Sequence, residues 1–349
     1  MHATPSRCGR CWDSHCESPI SCRMRIVGVS MMRNEGDIAE AFVRHHLPLL
    51  DHLLILDHAS TDNTPHILQA LVAEGLPLTV HRDDALAFQQ GPRTTALARE
   101  AFRTLRADYV LPIDADEMLR APSRAALESS LASIPAGQCG QIAWQNYVVS
   151  DEDVADELNP VARITHRPVT EPNPTRNVVL TPYMMGDERW ELAPGNHWLA
   201  MQTHRGMFAA KMQPLSELAY AHFAIRAETQ LQQKVFLGWL SARLQNPAAI
   251  QPATASNVSG AYSWHWRHLF AHMLEEPYVS TERLRDYAMR LYVHKSLEMD
   301  AAAFVPLIRD PIPVPYTLRY TSPSAGSPLV SLARWTDDLL TRVGRTLSS

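Results

Sequence analysis

The feature of this sequence best suited to chemistry is the acidic stretch Asp114-Ala-Asp116-Glu117, which directly follows an apolar segment. Two carboxylates separated by one residue at a strand end can face one pocket once the chain turns. Such hard oxygen ligands suit Mg2+ or Mn2+, which leave coordination positions for phosphate oxygens. A lone motif of this kind is more often a solvated turn, so its place in the chain decides its meaning.

Two other polar clusters stand at equivalent places. Asn34 and Glu35 follow the apolar segment 25–30, and Asp57 follows the segment 53–56. Because ligands of parallel sheets lie beyond the carboxyl ends of the strands, all three clusters should converge on one rim. We therefore predict a divalent cation held by Asp114 and Asp116, with a phosphorylated ligand beside it.

The elements that must position these residues alternate regularly. β-branched and apolar runs predict strands, while helical spacing with Pro and Gly punctuation predicts helices. The predicted strands are 25–30, 53–56, 78–81 and 109–113, and the predicted helices are 38–47, 66–74 and 92–105. Thr64, which precedes Pro65, is the predicted N-cap of the second helix. This rhythm is typical of right-handed crossovers and predicts an α/β domain with a mostly parallel, Rossmann-like sheet.

Composition excludes several classes. The chain has 349 residues, of which 46% are hydrophobic and 20% charged, with a net charge of -5. That composition is globular and has no basic stripe, so no nucleic-acid partner is expected. No apolar run approaches the ~18 residues of a membrane span, and no secretory core is visible. The cytoplasm is the expected location, with the inner face of a membrane and a peripheral membrane contact as the alternative.

Three successive segments resemble the signatures of family 2 glycosyltransferases of the A fold: VSMMRNE (29–35), LDHASTDNT (56–64) and IDADE (113–117). The resemblance covers residues 25 to about 120, and reaches more loosely to 195–197 and 222–234. The bacterial enzymes of cell-surface polysaccharide synthesis are the most similar subgroup. The resemblance implies an inverting glycosyltransferase with Mn2+ or Mg2+, a nucleotide-diphospho-sugar donor and a polysaccharide or glycolipid acceptor.

The resemblance also implies roles for individual residues. Asn34 and Glu35 would line the nucleotide pocket, and Asp57 would bind the base or ribose. Asp114 would place the ribose and the metal, and Asp116 would ligate the metal directly. His58 stands where the family often has a second aspartate, so the resemblance does not identify the nucleotide base of the donor. Asp62 is predicted to organise its own loop through residues 60 and 61.

An inverting transfer needs a carboxylate that takes the proton of the acceptor hydroxyl. The Glu-Asp pair that many relatives carry before a helix is not found in the expected region of this sequence. The candidates are Asp187, Glu188 and Glu191, with Asp187 the strongest. The alternative for each is a solvated loop charge.

Further candidates lie in the second half. His197 and His222 are candidates for an additional metal ligand, and the alternative is a buried, hydrogen-bonded histidine. Residues 226–245 are predicted to form a helix, on which Arg226, Gln230 and Lys234 recur every four residues and share one face. Arg226 and Lys234 are predicted to bind the donor diphosphate, and the alternative is a solvated face.

The predicted organisation has four parts. Residues 1–24 form a disordered leader, in which the spacing of Cys8 and Cys11 leaves a small zinc site as an alternative. Residues 25–120 bind the nucleotide sugar and 121–245 the acceptor. A helical C-terminal extension, 246–349, contains predicted helices at 264–274, 281–292 and 331–347.

Three other functions are compatible with an α/β domain of this kind. A non-catalytic nucleotide-sugar-binding protein would keep the donor pocket and lack a catalytic base, which fits the absence of a Glu-Asp pair from the expected region. A nucleotidylyltransferase is disfavoured because the loop after the first strand, MMRNEGD, is neither Gly-rich nor basic. A dinucleotide-dependent oxidoreductase is disfavoured because no G-x-G-x-x-G follows a strand.

Overall fold

The computed structural model describes residues 23–85, 88–245 and 279–321. Within these ranges the chain has an α/β architecture, in which a parallel sheet is followed by a mixed sheet. The predicted leader with Cys8 and Cys11 lies outside the described residues. So do the predicted helices at 264–274 and 331–347.

The first sheet is parallel throughout, with strand order β3-β2-β1-β4. Its strands are β1 Ile26–Met32, β2 His52–His58, β3 Leu78–Asp83 and β4 Tyr109–Pro112. All four predicted strands are confirmed, and the first three extend further at their carboxyl ends than predicted. The register pairs Met32 with Asp57, so the loops after β1 and β2 begin side by side.

Both faces of this sheet are covered, which explains the continuous apolar runs of its strands. Successive residues of β1 enter opposite cores: Ile26 packs with Phe42 on one face, and Val27 and Val29 pack with Leu97 on the other. The crossover helices are α1 Ala39–His46, α2 Thr64–Ala73 and α3 Gln90–Thr104.

One local prediction was wrong. Thr64 was expected to cap α2, but Asn63 occupies that position and Thr64 is the first helical residue. The Thr64 hydroxyl instead accepts a hydrogen bond from the Glu35 amide at 2.9 Å. The predicted end of the helix is confirmed, since Gly75 adopts the left-handed φ of 80° that favours glycine.

The second sheet positions the remaining candidate residues, among them Glu117 and His222. Its strands are β5 Glu117–Arg120, β6 Cys139–Asn146, β8 Arg176–Val179 and β12 Met212–His222, in the order β5-β12-β6-β8. β12 runs antiparallel to β5 and parallel to β6, and its last residue, His222, stands opposite both Glu117 and Asn146. Helix α4, Arg124–Ala132, begins at Ser123, whose hydroxyl accepts from the Ala126 amide.

Short elements fill residues 151–195, where the many prolines predict a loop-rich region, and the residues that follow. β7 His166–Pro168 pairs with β13 Leu307–Arg309, and the strands β9 Trp190–Leu192, β10 Leu199–Thr203 and β11 Gly206–Ala209 form an antiparallel sheet. The one-turn helices are α5 Pro160–Arg163 and α6 Pro182–Met185.

Two longer helices follow. α7 spans Glu228–Gln245, close to its predicted bounds, and α8 spans Thr281–Ala288. α8 continues as a π-helical segment, Met289–His294, which ends at Lys295 in the left-handed conformation. In the described part of the chain, no helix combines the length and apolarity that crossing a membrane requires.

Candidate active site

The loops after β1 and β2 are joined at the carboxyl edge of the parallel sheet. The Asn34 amide donates to Ser60 Oγ at 2.9 Å, and Asn34 Oδ1 accepts from the Thr61 amide at 2.7 Å. Asn34 and Ala59 adopt left-handed φ values of 56° and 53°, which turn the two loops toward each other. Asn34 Nδ2 is buried and has no hydrogen-bond partner among the described residues.

Asp57 lies where β2 ends. Its Oδ1 accepts from the Ser60 amide at 3.2 Å, and its Oδ2 lies 3.5 Å from an Arg82 guanidinium nitrogen. Asp62 organises the loop as predicted, although through Gly36 and Thr64, whose amides donate to it at 3.0 Å each. The polar groups after β1 and β2 therefore form one hydrogen-bonded unit.

Asp114 is held by two neutral amides. Gln90 Nε2 and Asn196 Nδ2 each donate to Asp114 Oδ1 at 2.8 Å. Gln90 also accepts from the Gly195 amide at 2.8 Å, so it joins α3 to the turn at 195–196. Gly195 and Asn196 both have positive φ, 79° and 59°, and this tight turn aims the Asn196 amide at Asp114. Burial raises the pKa of Asp114 to about 7, and the charge of Asp116 adds to the rise.

Glu117 folds back and closes the acidic loop. Its Oε2 accepts from the Asp114 amide at 3.0 Å, and Asn177 Nδ2 donates to both of its carboxylate oxygens. Among the residues that the structure describes, no cation contacts Glu117. Burial raises its pKa well above the usual range, with Asp114 and Asp116 adding to the effect. Glu117 therefore shapes the loop as a buried acid.

Asp116 has the opposite electrostatic setting. Lys234 Nζ donates to its Oδ2 at 2.6 Å, and an Arg226 nitrogen lies 4.0 Å from the same oxygen. On the other side, Asp116 Oδ1 faces His222 Nε2 at 3.8 Å. Burial by itself would raise the pKa of Asp116, but the positive charges of Lys234 and Arg226 outweigh it and hold the pKa below its usual range.

His222 is fixed from behind. Its Nδ1 lies 2.8 Å from Asn146 Oδ1, and its ring stacks on Trp144 with 3.9 Å between centroids. Since Asn146 Oδ1 is an acceptor, His222 Nδ1 carries the proton and donates it, and Nε2 keeps a lone pair. Burial lowers the pKa of His222 to about 3, so the ring is neutral near pH 7. Asp116 Oδ1 and His222 Nε2 are thus two acceptors that face each other.

Arg226 lies at the centre of the charged network. Its side chain is fully buried, and it forms ion pairs at 2.6 Å with both Glu35 and Asp37 in the loop after β1. A third donor goes to the Phe223 carbonyl at 3.0 Å. Burial raises the pKa of Glu35 to about 7, although Arg226 and Lys234 act against this rise.

The three predicted base candidates lie on the surface. Asp187 forms an ion pair with Arg189 at 2.6 Å, and Glu188 forms one with Arg103 at 2.7 Å. Glu191 is exposed on β9, and its Oε1 lies 3.7 Å from the point where a side chain on Gly91 would begin. Because Gly91 follows Gln90, the Glu191 carboxylate lies near the residue that holds Asp114.

His197 and His222 occupy different surroundings. His197 Nδ1 lies 3.1 Å from Asn177 Oδ1 and 3.3 Å from the Arg176 carbonyl, and burial lowers its pKa to about 4. Its ring meets Trp144 edge-on, 5.3 Å between centroids. His197 therefore touches the residue that binds Glu117, whereas His222 faces Asp116.

Neutral amides are the residues that sequence reasoning missed. Gln90, Asn146 and Asn177 hold Asp114, His222 and Glu117 respectively, and each comes from a separate element. No spacing rule marks them. For a fourth amide, Asn196, the sequence does contain a signal, because the Gly195-Asn196 pair is typical of a tight turn.

Comparison with known proteins gives distant matches. No protein-family model and no curated protein matches this chain. Among solved structures, S. aureus TarS 1-349 is similar at 13% identity with a TM-score of 0.36, covering 80% of this chain and 76% of that chain. A mannosyltransferase from Pyrobaculum calidifontis in complex with GDP-Man and Mn2+ is similar at 20% identity and a TM-score of 0.28, covering 34% of this chain and 35% of that one.

Glucosyl-3-phosphoglycerate synthase from Mycobacterium tuberculosis, in complex with Mn2+, UDP and glucosyl-3-phosphoglycerate, is similar at 24% identity with a TM-score of 0.24. That match covers 36% of this chain and 44% of the other. This chain therefore spans less than half of the last two proteins. TM-scores this low do not indicate a function for this chain. Its function is therefore inferred from its own residues.

Proposed function

We propose that this protein is an inverting glycosyltransferase that moves a sugar from a nucleotide-diphospho-sugar to a polysaccharide or glycolipid acceptor with the help of Mn2+ or Mg2+. The observation that carries the proposal is the setting of Asp116. One of its oxygens faces the His222 lone pair, and the other is bound by Lys234. This arrangement lies on the same rim as the joined loops that contain Asn34 and Asp57.

The donor set at Asp116 fits a divalent cation. Two acceptors 3.8 Å apart repel unless a cation or proton lies between them, and 3.8 Å is less than twice the length of about 2.1 Å of a bond to Mg2+. Among the described residues, no group of three or more His, Cys, Asp or Glu side chains surrounds a common metal position. Asp116 and His222 would therefore supply two ligands, as in sites that substrate phosphates complete.

Asp114 and His197 were predicted as metal ligands as well. For Asp114 we favour a role in binding the ribose over direct ligation of the cation, because Gln90 and Asn196 already occupy its Oδ1. His197 supports the acidic loop through Asn177. When bound, the cation would stabilise the negative charge that develops on the departing diphosphate.

The donor would lie along the joined loops. Asn34 and Glu35 would line the nucleotide pocket, Asp57 would bind the base or ribose, and Asp114 the ribose. Lys234 is only partly buried, so its ammonium would bind the donor diphosphate in addition to its ion pair with Asp116. Arg226 would contribute from within the protein, by holding the loop that carries Glu35.

The acceptor side is proposed from the exposed acidic stretch. Glu191 is favoured over Asp187 and Glu188 as the base, since the other two carboxylates are engaged by arginines. Residues 121–245 would bind the acceptor. The cytoplasmic location, the alternative at the inner membrane face and the type of polysaccharide stay predictions.

A second candidate is a nucleotide-sugar-binding protein without turnover. The observation in its favour is that two of the three predicted bases, Glu188 and Glu191, are exposed, and that Asp187 and Glu188 form surface ion pairs. Such a protein would keep the network around Asp116 and lack a group to activate the acceptor.

The deciding experiment follows release of nucleoside diphosphate from a panel of nucleotide sugars with Mn2+ or EDTA. We expect slow donor hydrolysis that needs Mn2+ and disappears in Asp116→Ala. The matched control is Glu217→Ala, which removes an exposed carboxylate from the strand that carries His222. Hydrolysis that survives in Asp116→Ala would contradict the enzyme assignment. Thermal stabilisation by a nucleoside diphosphate, with no turnover of any donor, would support the second candidate.

A further inference from the structure

A chain of hydrogen bonds runs behind His222. Asn146 Oδ1 lies 2.8 Å from His222 Nδ1, and the Asn146 side-chain nitrogen donates to Glu171 Oε2 at 2.8 Å. The backbone amide of Asn146 donates to the other Glu171 oxygen at 2.7 Å. Asn146 is 4% exposed, so water does not replace these contacts.

These contacts fix which way the Asn146 amide faces. Its Nδ2 donates to Glu171 and also to the Tyr292 carbonyl at 3.3 Å, and both of those groups are acceptors. The amide oxygen must therefore face His222. Tyr292 belongs to the π-helical segment after α8, and π-helical turns occur frequently at functional sites.

A neutral histidine can carry its proton on either ring nitrogen. If the proton were on Nε2, His222 would donate to Asp116 and close the space between them. With Asn146 accepting from Nδ1, that tautomer is disfavoured and the lone pair of Nε2 stays directed at Asp116. Stacking on Trp144 would leave both tautomers equally possible, so packing alone does not explain the arrangement.

We propose that Asn146 is the positioning residue of the cation site, which holds His222 in the tautomer able to ligate a divalent ion, and that Glu171 anchors Asn146 for this task. The proposal rests on the proposed function, because it assumes that Asp116 and His222 receive the cation. Residues behind a ligating histidine typically change metal affinity by about 10–100-fold when they are removed.

The first test measures Mn2+ binding directly, by the EPR signal of free Mn2+ during titration of the full chain without any donor. Asn146→Ala should weaken Mn2+ binding by about 10–100-fold. The control Glu217→Ala should bind Mn2+ like the wild type, and melting in EDTA checks that each variant is folded. Wild-type affinity in folded Asn146→Ala would overturn the positioning role while leaving the cation site intact. Absence of Mn2+ binding by the wild type would overturn both the site and this inference.

A second test exchanges the donor and the acceptor of the hydrogen bond between Asn146 and Glu171. Asn146→Asp alone places a carboxylate against Glu171 and should weaken Mn2+ binding. Adding Glu171→Gln supplies an amide that donates to the new carboxylate, while position 146 still accepts from His222. The double variant should therefore bind Mn2+ more tightly than Asn146→Asp alone. If the second change gives no recovery, Glu171 is not the anchor.

The third readout needs no metal and would not respond to a merely structural role. In 15N-histidine NMR spectra, the signals absent from His222→Gln report the His222 tautomer. We expect the Nδ1–H form in the wild type and a shift toward the Nε2–H form in Asn146→Ala. An Nε2–H tautomer in the wild type would overturn the proposal.

Discussion

The acidic stretch 114–117 and the acidic stretch 187–191 have similar residue types and very different surroundings. The Asp116 side chain is 7% exposed and is bound by Lys234, whereas the Glu188 side chain is 76% exposed and pairs with Arg103 on the surface. The first stretch leaves a strand of the parallel sheet, and the second runs from a surface loop into β9. Burial, more than the residue types themselves, separates carboxylates able to do chemistry from solvated charges.

The reason lies in the dielectric environment. Two charges interact several times more strongly in the protein interior than in water, so a buried carboxylate must be protonated or paired. The 114–117 stretch contains both solutions, since Glu117 has a pKa raised by burial and Asp116 is paired with Lys234. Exposed pairs such as Asp187 with Arg189 are screened by water and contribute little.

The largest expected effect compares a buried ion pair with an exposed one. Arg226→Met leaves Glu35 and Asp37 without the cation between them, and should lower the free energy of unfolding by about 3–5 kcal/mol. The matched change Arg189→Met removes an exposed partner and should leave that free energy almost unchanged. Urea unfolding of both variants measures the difference, and equal losses would remove the distinction drawn between the two stretches.

A somewhat smaller effect tests whether the exposed stretch has any catalytic part. Once a donor and an acceptor are known, Glu191→Gln should lower kcat by roughly 10²-fold, because a general base typically contributes that much. Asp187→Asn and Glu188→Gln are the controls, since their carboxylates are already engaged by arginines. A larger loss in Asp187→Asn than in Glu191→Gln would favour the base that the sequence alone had suggested.

Much of the fold and the position of the site followed from the sequence. The runs at 25–30 and 53–56 are apolar on both faces because helices cover both sides of the sheet, and this is visible without a structure. Once the strands are parallel, the groups that follow them must share an edge. Asn34, Asp57 and Asp114 could thus be placed on one rim from topology alone.

The supporting residues could not be predicted in the same way. Asn146 and His222 are 76 positions apart and meet only because β6 and β12 pair. Neutral amides have no charge or spacing that distinguishes them from ordinary polar residues. Likewise, the four-residue recurrence of Arg226, Gln230 and Lys234 predicted a shared helix face, but not that Arg226 would be buried before α7 begins.

The smallest expected effect compares Glu35 with Asp187 through the pH dependence of stability. Burial raises the pKa of Glu35 from its ordinary 4.5 to about 7, so between these values the folded protein binds more protons than the unfolded chain. The contribution of Glu35 to the free energy of unfolding therefore falls as pH rises from 4.5 to about 7. Hydrogen bonds from Arg189 lower the pKa of Asp187 from 3.8 to about 2, so its contribution is complete above pH 3.8 and is lost only as the pH falls toward 2.

Urea unfolding of the wild type, Glu35→Gln and Asp187→Asn between pH 4.5 and 7.5 separates these cases. The stability of the wild type relative to Glu35→Gln should decline as the pH rises through this range, since the variant cannot ionise at that position. The difference between the wild type and Asp187→Asn should stay flat, because Asp187 is already ionised in both the folded and the unfolded chain. A flat profile for Glu35→Gln would mean that Arg226 and Lys234 outweigh burial at Glu35, and the loop after β1 would then resemble the exposed stretch more than the acidic loop.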